Sequence, residues 1–143
     1  MSSDKVRLQP IARDHVAGIM LLCEQEGWQS FLKDPETTWK ALTAPDVITI
    51  VARDGERVLG FAQLQTDGVV QAHLSVIAVD PASRRQGIGR GLIEEAFSRS
   101  GARRIDLICE GPEEFYRSFA HKRFSGYRVY PQYERDNETG LPR

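Results

Sequence analysis

Val79-Asp80-Pro81-Ala82-Ser83-Arg84-Arg85-Gln86-Gly87-Ile88-Gly89-Arg90 is the stretch from which the fold can be read. The apolar run from Leu74 to Val79 ends at Asp-Pro, a turn signal. A basic, glycine-containing loop follows, and then an amphipathic segment from Gly91 to Arg99. The order is strand, loop, helix. Glycine lets the backbone come close to a ligand, and the first turn of a helix leaves N–H groups without helical partners. Such a helix start suits a phosphate or pyrophosphate. Arg84, Arg85 and Arg90 add positive charge around it. The alternative is a turn that binds nothing, but a tight turn has no need of arginines beside it.

Two common phosphate loops fit poorly. No Gly-Lys-Ser or Gly-Lys-Thr occurs in the chain, so the GxxxxGK[ST] loop is absent. A dinucleotide-binding GxGxxG wants a glycine where Leu92 stands; Gly87, Gly89 and Gly91 alternate instead. Outward from the loop, Lys5 to Gln9 alternates and predicts a first strand. Asp14 predicts the cap of a helix over 15–25, ended by Gly27. Asp34-Pro35 predicts a second helix, to about Leu42. Asp54-Gly55 and Asp67-Gly68 predict hairpin turns joining three antiparallel strands, 47–53, 57–65 and 69–79. The loop helix runs over 87–100 with Gly101 as its stop. A strand over 103–109 should lie parallel to 69–79, because a helix separates them. Pro112 predicts a helix over 113–120, and 124–130 predicts a last strand. Residues 1–134 read as a single domain, and 135–143 as a polar, disordered tail.

Arg84-x-x-Gly87-x-Gly89 after Val79-Asp80-Pro81, with Leu92-Ile93-Glu94-Glu95-Ala96-Phe97 behind it, resembles the acyl-CoA loop of the GNAT acetyltransferase superfamily. The element order β-α-α-β-β-β-α-β-α-β is similar to that family's core, an α+β fold with a mixed central sheet and helices on both faces. The segment from Ala72 to Gly89, with Cys109-Glu110 and Phe115-Tyr116, is similar to the serotonin (arylalkylamine) N-acetyltransferase branch. The resemblance implies acetyl-CoA as cosubstrate. It would enter between two splayed parallel strands, those ending at Val79 and Cys109. Ile77, Ala78 and Val79 would pair with its pantetheine arm. Arg84, Arg85, Gln86, Gly87, Ile88, Gly89 and Arg90 would hold its pyrophosphate, mostly by amides.

Acetyl transfer to an amine has definite chemical needs. A primary alkylamine, with a pKa of about 10.4, must lose a proton before it attacks. The leaving thiolate benefits from gaining one. The resemblance places Tyr116 near the CoA sulfur, where a phenol, protonated at neutral pH, can donate. The competing role is a tyrosine packed in the core. The family's usual Gly-Phe after this helix is Ala120-His121 here. His73 aligns with the first of two strand histidines that serve as base in the arylalkylamine branch. Ser75 stands at the second, so a two-histidine relay is not intact. His73 can equally be a strand histidine satisfied by a neighbour. Glu26 and Glu110 are reserve bases acting through water. Trp28 and Phe31 are acceptor-pocket candidates, through apolar or cation–π contact, or else staples that hold their loop to the sheet.

Composition removes other classes. The chain has 143 residues, 41% hydrophobic and 27% charged, normal for a globular domain, and a net charge of −1 that argues against nucleic acid. No apolar run approaches the roughly 20 residues of a membrane span. The start, Met-Ser-Ser-Asp-Lys, has no signal-peptide apolar core, so a cytoplasmic location is expected. Cys23 and Cys109 fit no metal spacing, and no metal is expected. The expected activity is N-acetyl transfer to a small-molecule, peptide or protein amine. The acceptor is open among arylalkylamines, aminoglycosides, polyamines, amino acids and protein amines. The resemblance allows a homodimer, since many relatives dimerise. The rival expectation is a CoA-binding module of the same fold without turnover.

Overall fold

The computed structural model describes residues 5–31, 34–111 and 113–131. The chain divides into two compact units, Met1–Leu107 and Ile108–Arg143. In the first unit β1 (Arg7–Pro10), β2 (Val47–Asp54), β3 (Arg57–Thr66), β4 (Gln71–Val79) and β5 (Arg104–Asp106) form one sheet, in that order. β1 to β4 are antiparallel neighbours and β5 runs parallel to β4. Both Asp-Gly turns join hairpins as predicted. At the second, Asp67 Oδ1 accepts the N–H of Val69 and Val70 at 2.8 Å, which holds the turn.

Strand alternation sorts the core into two layers. Val51, Phe61 and Ala78 are on one face, packed against Ile19, Leu22 and Cys23 of α1 (Val16–Glu26) and Leu42 of α2 (Pro35–Leu42). α3 (Ile88–Ser100) covers the other face, burying Leu92, Ile93 and Ala96 and laying Gly91 beside Leu8. The helices on both faces and the mixed sheet match the α+β expectation. Asp34 caps α2 as its sequence predicts, accepting the Thr37 N–H at 2.8 Å, with Pro35 first in the helix.

Asp14 does not cap α1. A 3-10 turn over Arg13–His15 precedes the helix, and His15 Nδ1 accepts the Ala12 N–H at 2.9 Å. His15 is buried, and its pKa is lowered from 6.5 by that burial; Asp14 opposes the shift and Arg53 adds to it. The unfolded chain therefore takes the proton first. The contribution of neutral His15 is complete above about pH 6.5 and is lost as pH falls toward the lowered value. Urea midpoints at pH 7.5 and 5.5 should fall further for the wild type than for His15→Gln. Equal falls would remove His15 from the acid sensitivity.

The strand predicted over 103–109 is shorter. β5 pairs only at Gln71–Arg104, Ala72–Ile105 and His73–Asp106. Just beyond, Ser75 is the extra residue of a bulge between β3 and β4. A bulge bends and twists its strand, so β5 cannot follow β4 past that point. In the second unit the helix expected over 113–120 is α4, Glu114–Arg117 only, and Pro112 lies outside the described residues. Residues 124–130 form no strand; Phe124, Tyr127 and Val129 are exposed. Apolar and aromatic content supplies strand propensity but no ladder partner among the described residues, and an isolated strand has no stability of its own. The tail expected at 135–143 lies outside the described residues.

Candidate active site

β4 is paired with β5 only up to His73, so from Leu74 onward it has no ladder partner on that side among the described residues. The Asp80 N–H points back to β3, donating to the Leu59 carbonyl at 2.7 Å. Alternation then turns the main-chain groups of Ile77 and Val79 to the open edge. Ala78 points its side chain into the core cluster. This is the edge geometry that an extended amide-bearing ligand can join as an added strand.

The loop starts from a braced residue. Asp80 is nearly buried, its carboxylate lies 2.6 Å from Arg57 Nη2, and its carbonyl accepts the Ser83 N–H at 2.8 Å. Pro81–Ser83 is a 3-10 turn. Arg85 then takes a left-handed conformation, φ +64°, and Gly87 takes another, φ +80°. For arginine that conformation costs about 1–2 kcal/mol; such strain concentrates at ligand sites. α3 starts at Ile88, and its first helical bond runs from the Gly91 N–H to the Gly87 carbonyl at 3.0 Å. The amides of Ile88 and Gly89 therefore precede any helical acceptor and sit at the positive end of the helix dipole. The Gln86 side-chain oxygen is occluded and has no hydrogen-bond partner among the described residues. A ligand N–H or O–H would satisfy it. These features fit a pyrophosphate-bearing ligand.

The expectation for the loop rested mostly on its amides, and the arginine side chains have their own partners. Arg84 turns away from the helix start: its Nε donates to the Val79 carbonyl at 3.1 Å and its Nη2 to Glu26 Oε1 at 2.9 Å. Arg90 reaches Glu94 at 3.3 Å. Arg85 is exposed. Glu26, a reserve base by sequence, is thus an ion-pair partner. No local pattern announces this pair, because its members are 58 positions apart.

His73 is exposed at the last rung of the β4–β5 ladder. It stands six residues before Val79, roughly 20 Å along a strand at about 3.3 Å per residue. It lines an open cavity of about 500 Å³ together with Asp46, Asp67 and Asp106. The N–H groups of Val70 and Val69 hold the Asp67 carboxyl below its usual range. Ser75, at the place of the second histidine, accepts a hydrogen bond from Gln65 at 3.0 Å. Trp28 and Phe31 are half-buried against the core cluster, as staples would be. A second open cavity, about 620 Å³, lies over Arg13, Trp39 and Lys40. Neither cavity includes the loop, which presents an edge and a helix start rather than an enclosed pocket.

Cys23 has its thiol pushed up to about 11 by burial and by Glu26, so it is not a nucleophile at neutral pH. In the second unit, Tyr116 lies on α4 with its ring edge-on to Phe115, centroids 5.0 Å apart. Burial, then the Cys109 charge, raises its pKa above 10. No group of three or more metal-ligating side chains occurs among the described residues, and no described helix is long and apolar enough to cross a membrane.

Known proteins resemble this chain in sequence or in fold. A mycothiol acetyltransferase of Propionibacterium freudenreichii subsp. shermanii is 35% identical over 95 residues, 64% of this chain but 28% of its own length. The chain thus spans less than a third of the curated relatives it matches. An inferred acetyltransferase of Deinococcus radiodurans R1 superposes with a TM-score of 0.74 at 26% identity, covering 100% of this chain and 98% of its own. A GNAT-family acetyltransferase of Streptococcus pneumoniae TIGR4 gives 0.69 at 25% identity, covering 89% and 98%. The model of the acetyltransferase (GNAT) domain matches residues 45–120, more than half of the chain, from the turn before β2 to three residues past the helix that carries Tyr116. With the braced loop between β4 and α3 inside that span, the chain belongs to the GNAT acetyltransferase family.

Proposed function

We propose that the chain transfers an acetyl group from acetyl-CoA to a primary amine by direct attack. The observation that carries this reading is the loop at 84–90, with left-handed turns at Arg85 and Gly87 opening α3 beside the free edge of β4. Acetyl-CoA, when bound, supplies the activated acetyl group. Ile77 offers its main-chain groups and Val79 its N–H to the arm, and the amides of Ile88 and Gly89 face its pyrophosphate. At pH 7.4 only about 0.1% of a free alkylamine is neutral, so a base is needed. His73 accepts that proton, directly or through water. Tyr116 gives a proton to the departing thiolate. The carboxylates of Asp46, Asp67 and Asp106 around His73 favour an acceptor that arrives positively charged.

Free-thiol release from acetyl-CoA, measured across arylalkylamines, polyamines, aminoglycosides and peptides, tests this. We expect release with a cationic class. No release with any of them, while acetyl-CoA still raises Tm, would favour a binding module without turnover. The serine at position 75, hydrogen-bonded to Gln65 rather than replaced by a second base, is the feature that keeps this second reading in play.

A further inference from the structure

We propose that Glu26 and Arg84 form a positioning strut that holds the phosphate loop in its binding shape, and that Arg84 is not itself a phosphate ligand. The proposal rests on the reading of residues 84–90 as the acetyl-CoA loop.

α1 ends on an acidic side chain. Its final residue is Glu26, and its last turn contains no basic side chain. A carboxylate there faces the negative end of the helix dipole, which disfavours it. The compensating cation comes from the loop: Arg84 Nη2 lies 2.9 Å from Glu26 Oε1. The same guanidinium sends Nε to the Val79 carbonyl, 3.1 Å away, on the open edge of β4. One planar group therefore ties the end of α1 to the end of β4. Only arginine carries donors on a rigid fork suited to two such directions; a lysine ammonium is a point charge on a flexible stem.

The position of the strut matters. Arg85, the next residue, is left-handed, and such strain persists only where the surroundings over-determine it. The Arg84 amide itself has a long bond, 3.5 Å, to the Pro81 carbonyl. Asp80 is braced by Arg57 and the Leu59 carbonyl on one side of the turn, and the Arg84 side chain supplies the brace on the other. A guanidinium already paired with a carboxylate has little net charge left for a phosphate. The side chains of Arg84 and Glu26 are 51% and 31% exposed, so the pair is worth a modest factor and acts on the loop rather than on the whole fold.

The two roles predict opposite signs for Glu26→Gln. If Arg84 bound phosphate, removing the competing carboxylate would leave CoA affinity unchanged or raise it. As a strut, the pair is broken and affinity falls. The experiment compares wild type, Glu26→Gln, Arg84→Lys and the double variant in the full chain. Amide hydrogen exchange over 84–90 is read without ligand, CoA affinity by calorimetry, and KM and kcat with acetyl-CoA. We expect exchange to speed by about threefold in each single variant and CoA affinity to fall by about the same factor. KM for acetyl-CoA should rise more than kcat falls, and the double variant should be no worse than either single one. Unchanged exchange in Glu26→Gln, additive effects in the double variant, or tighter CoA binding on loss of Glu26 would overturn the strut. Wild type that binds no CoA would overturn the functional reading instead, and the ligand-free exchange would still decide the strut.

Discussion

Tyr116→Phe should lower kcat by about a hundredfold, the lower end for loss of a general acid, and should leave CoA affinity within about twofold. The ring is held edge-on to Phe115, with planes at 69°, and Phe115 is in turn edge-on to Phe119. Phenylalanine keeps these contacts, so the substitution removes a hydroxyl and little else. The chemistry needs that hydroxyl protonated. Burial and the nearby Cys109 both raise the Tyr116 pKa, and for a phenol a raised pKa favours the neutral donor. The donor is therefore intact throughout the neutral range, and any loss of rate through its ionisation falls above pH 10. On the proposed mechanism a fall in rate toward low pH would belong to the base and the amine. Steady-state kcat and calorimetric CoA affinity on both proteins check this. A kcat within twofold of wild type would take Tyr116 out of the mechanism.

Local chemistry made much of the first unit legible. Asp34-Pro35, Asp54-Gly55, Asp67-Gly68 and Gly101 each specify their own backbone and each marks an element end, although β4 starts at Gln71 rather than Val69 because Val69 and Val70 give their N–H groups to Asp67. The loop at 84–90 was legible for the same reason: glycines and a helix start are adjacent in sequence. What depends on a distant partner was not. Residues 103–109 have the alternation of a strand and 124–130 its aromatic content, but neither says whether a ladder partner is present. The bulge at Ser75 lies two residues past the last rung of the β4–β5 ladder and has no sequence mark of its own. Arg84 illustrates the point at the site. Its place in the motif suggested phosphate, while its actual bonds run to Glu26 and Val79. Asp14 was a sound capping residue, yet the 3-10 turn over Arg13–His15 moves the start of α1 past it, and the buried imidazole of His15 holds that turn through the Ala12 amide.

Gly101→Ala should destabilise the first unit by about 3 kcal/mol, from a left-handed conformation (about 1–2 kcal/mol) and overpacking (about 1–3 kcal/mol). Gly101 ends α3 with φ +71°, and a methyl group there would lie 2.4 Å from the Gly68 carbonyl oxygen. Gly68 cannot easily withdraw. Its N–H is held by Thr66 Oγ1 at 2.9 Å, and the same hydroxyl donates to the Ser100 carbonyl at 3.2 Å. On the other side, the Arg103 N–H donates to the Val70 carbonyl at 2.8 Å. The β3–β4 hairpin thus fixes the far end of the helix whose near end carries the loop. The expected fall in Tm is about 10 °C. Gly68→Ala is the control, because its φ is also positive, +79°, but its methyl would meet nothing within 4 Å. It should cost only the conformational part, about 1 kcal/mol. If the two variants melted together, close approach at this joint would contribute nothing, and α3 would be held by its buried face alone.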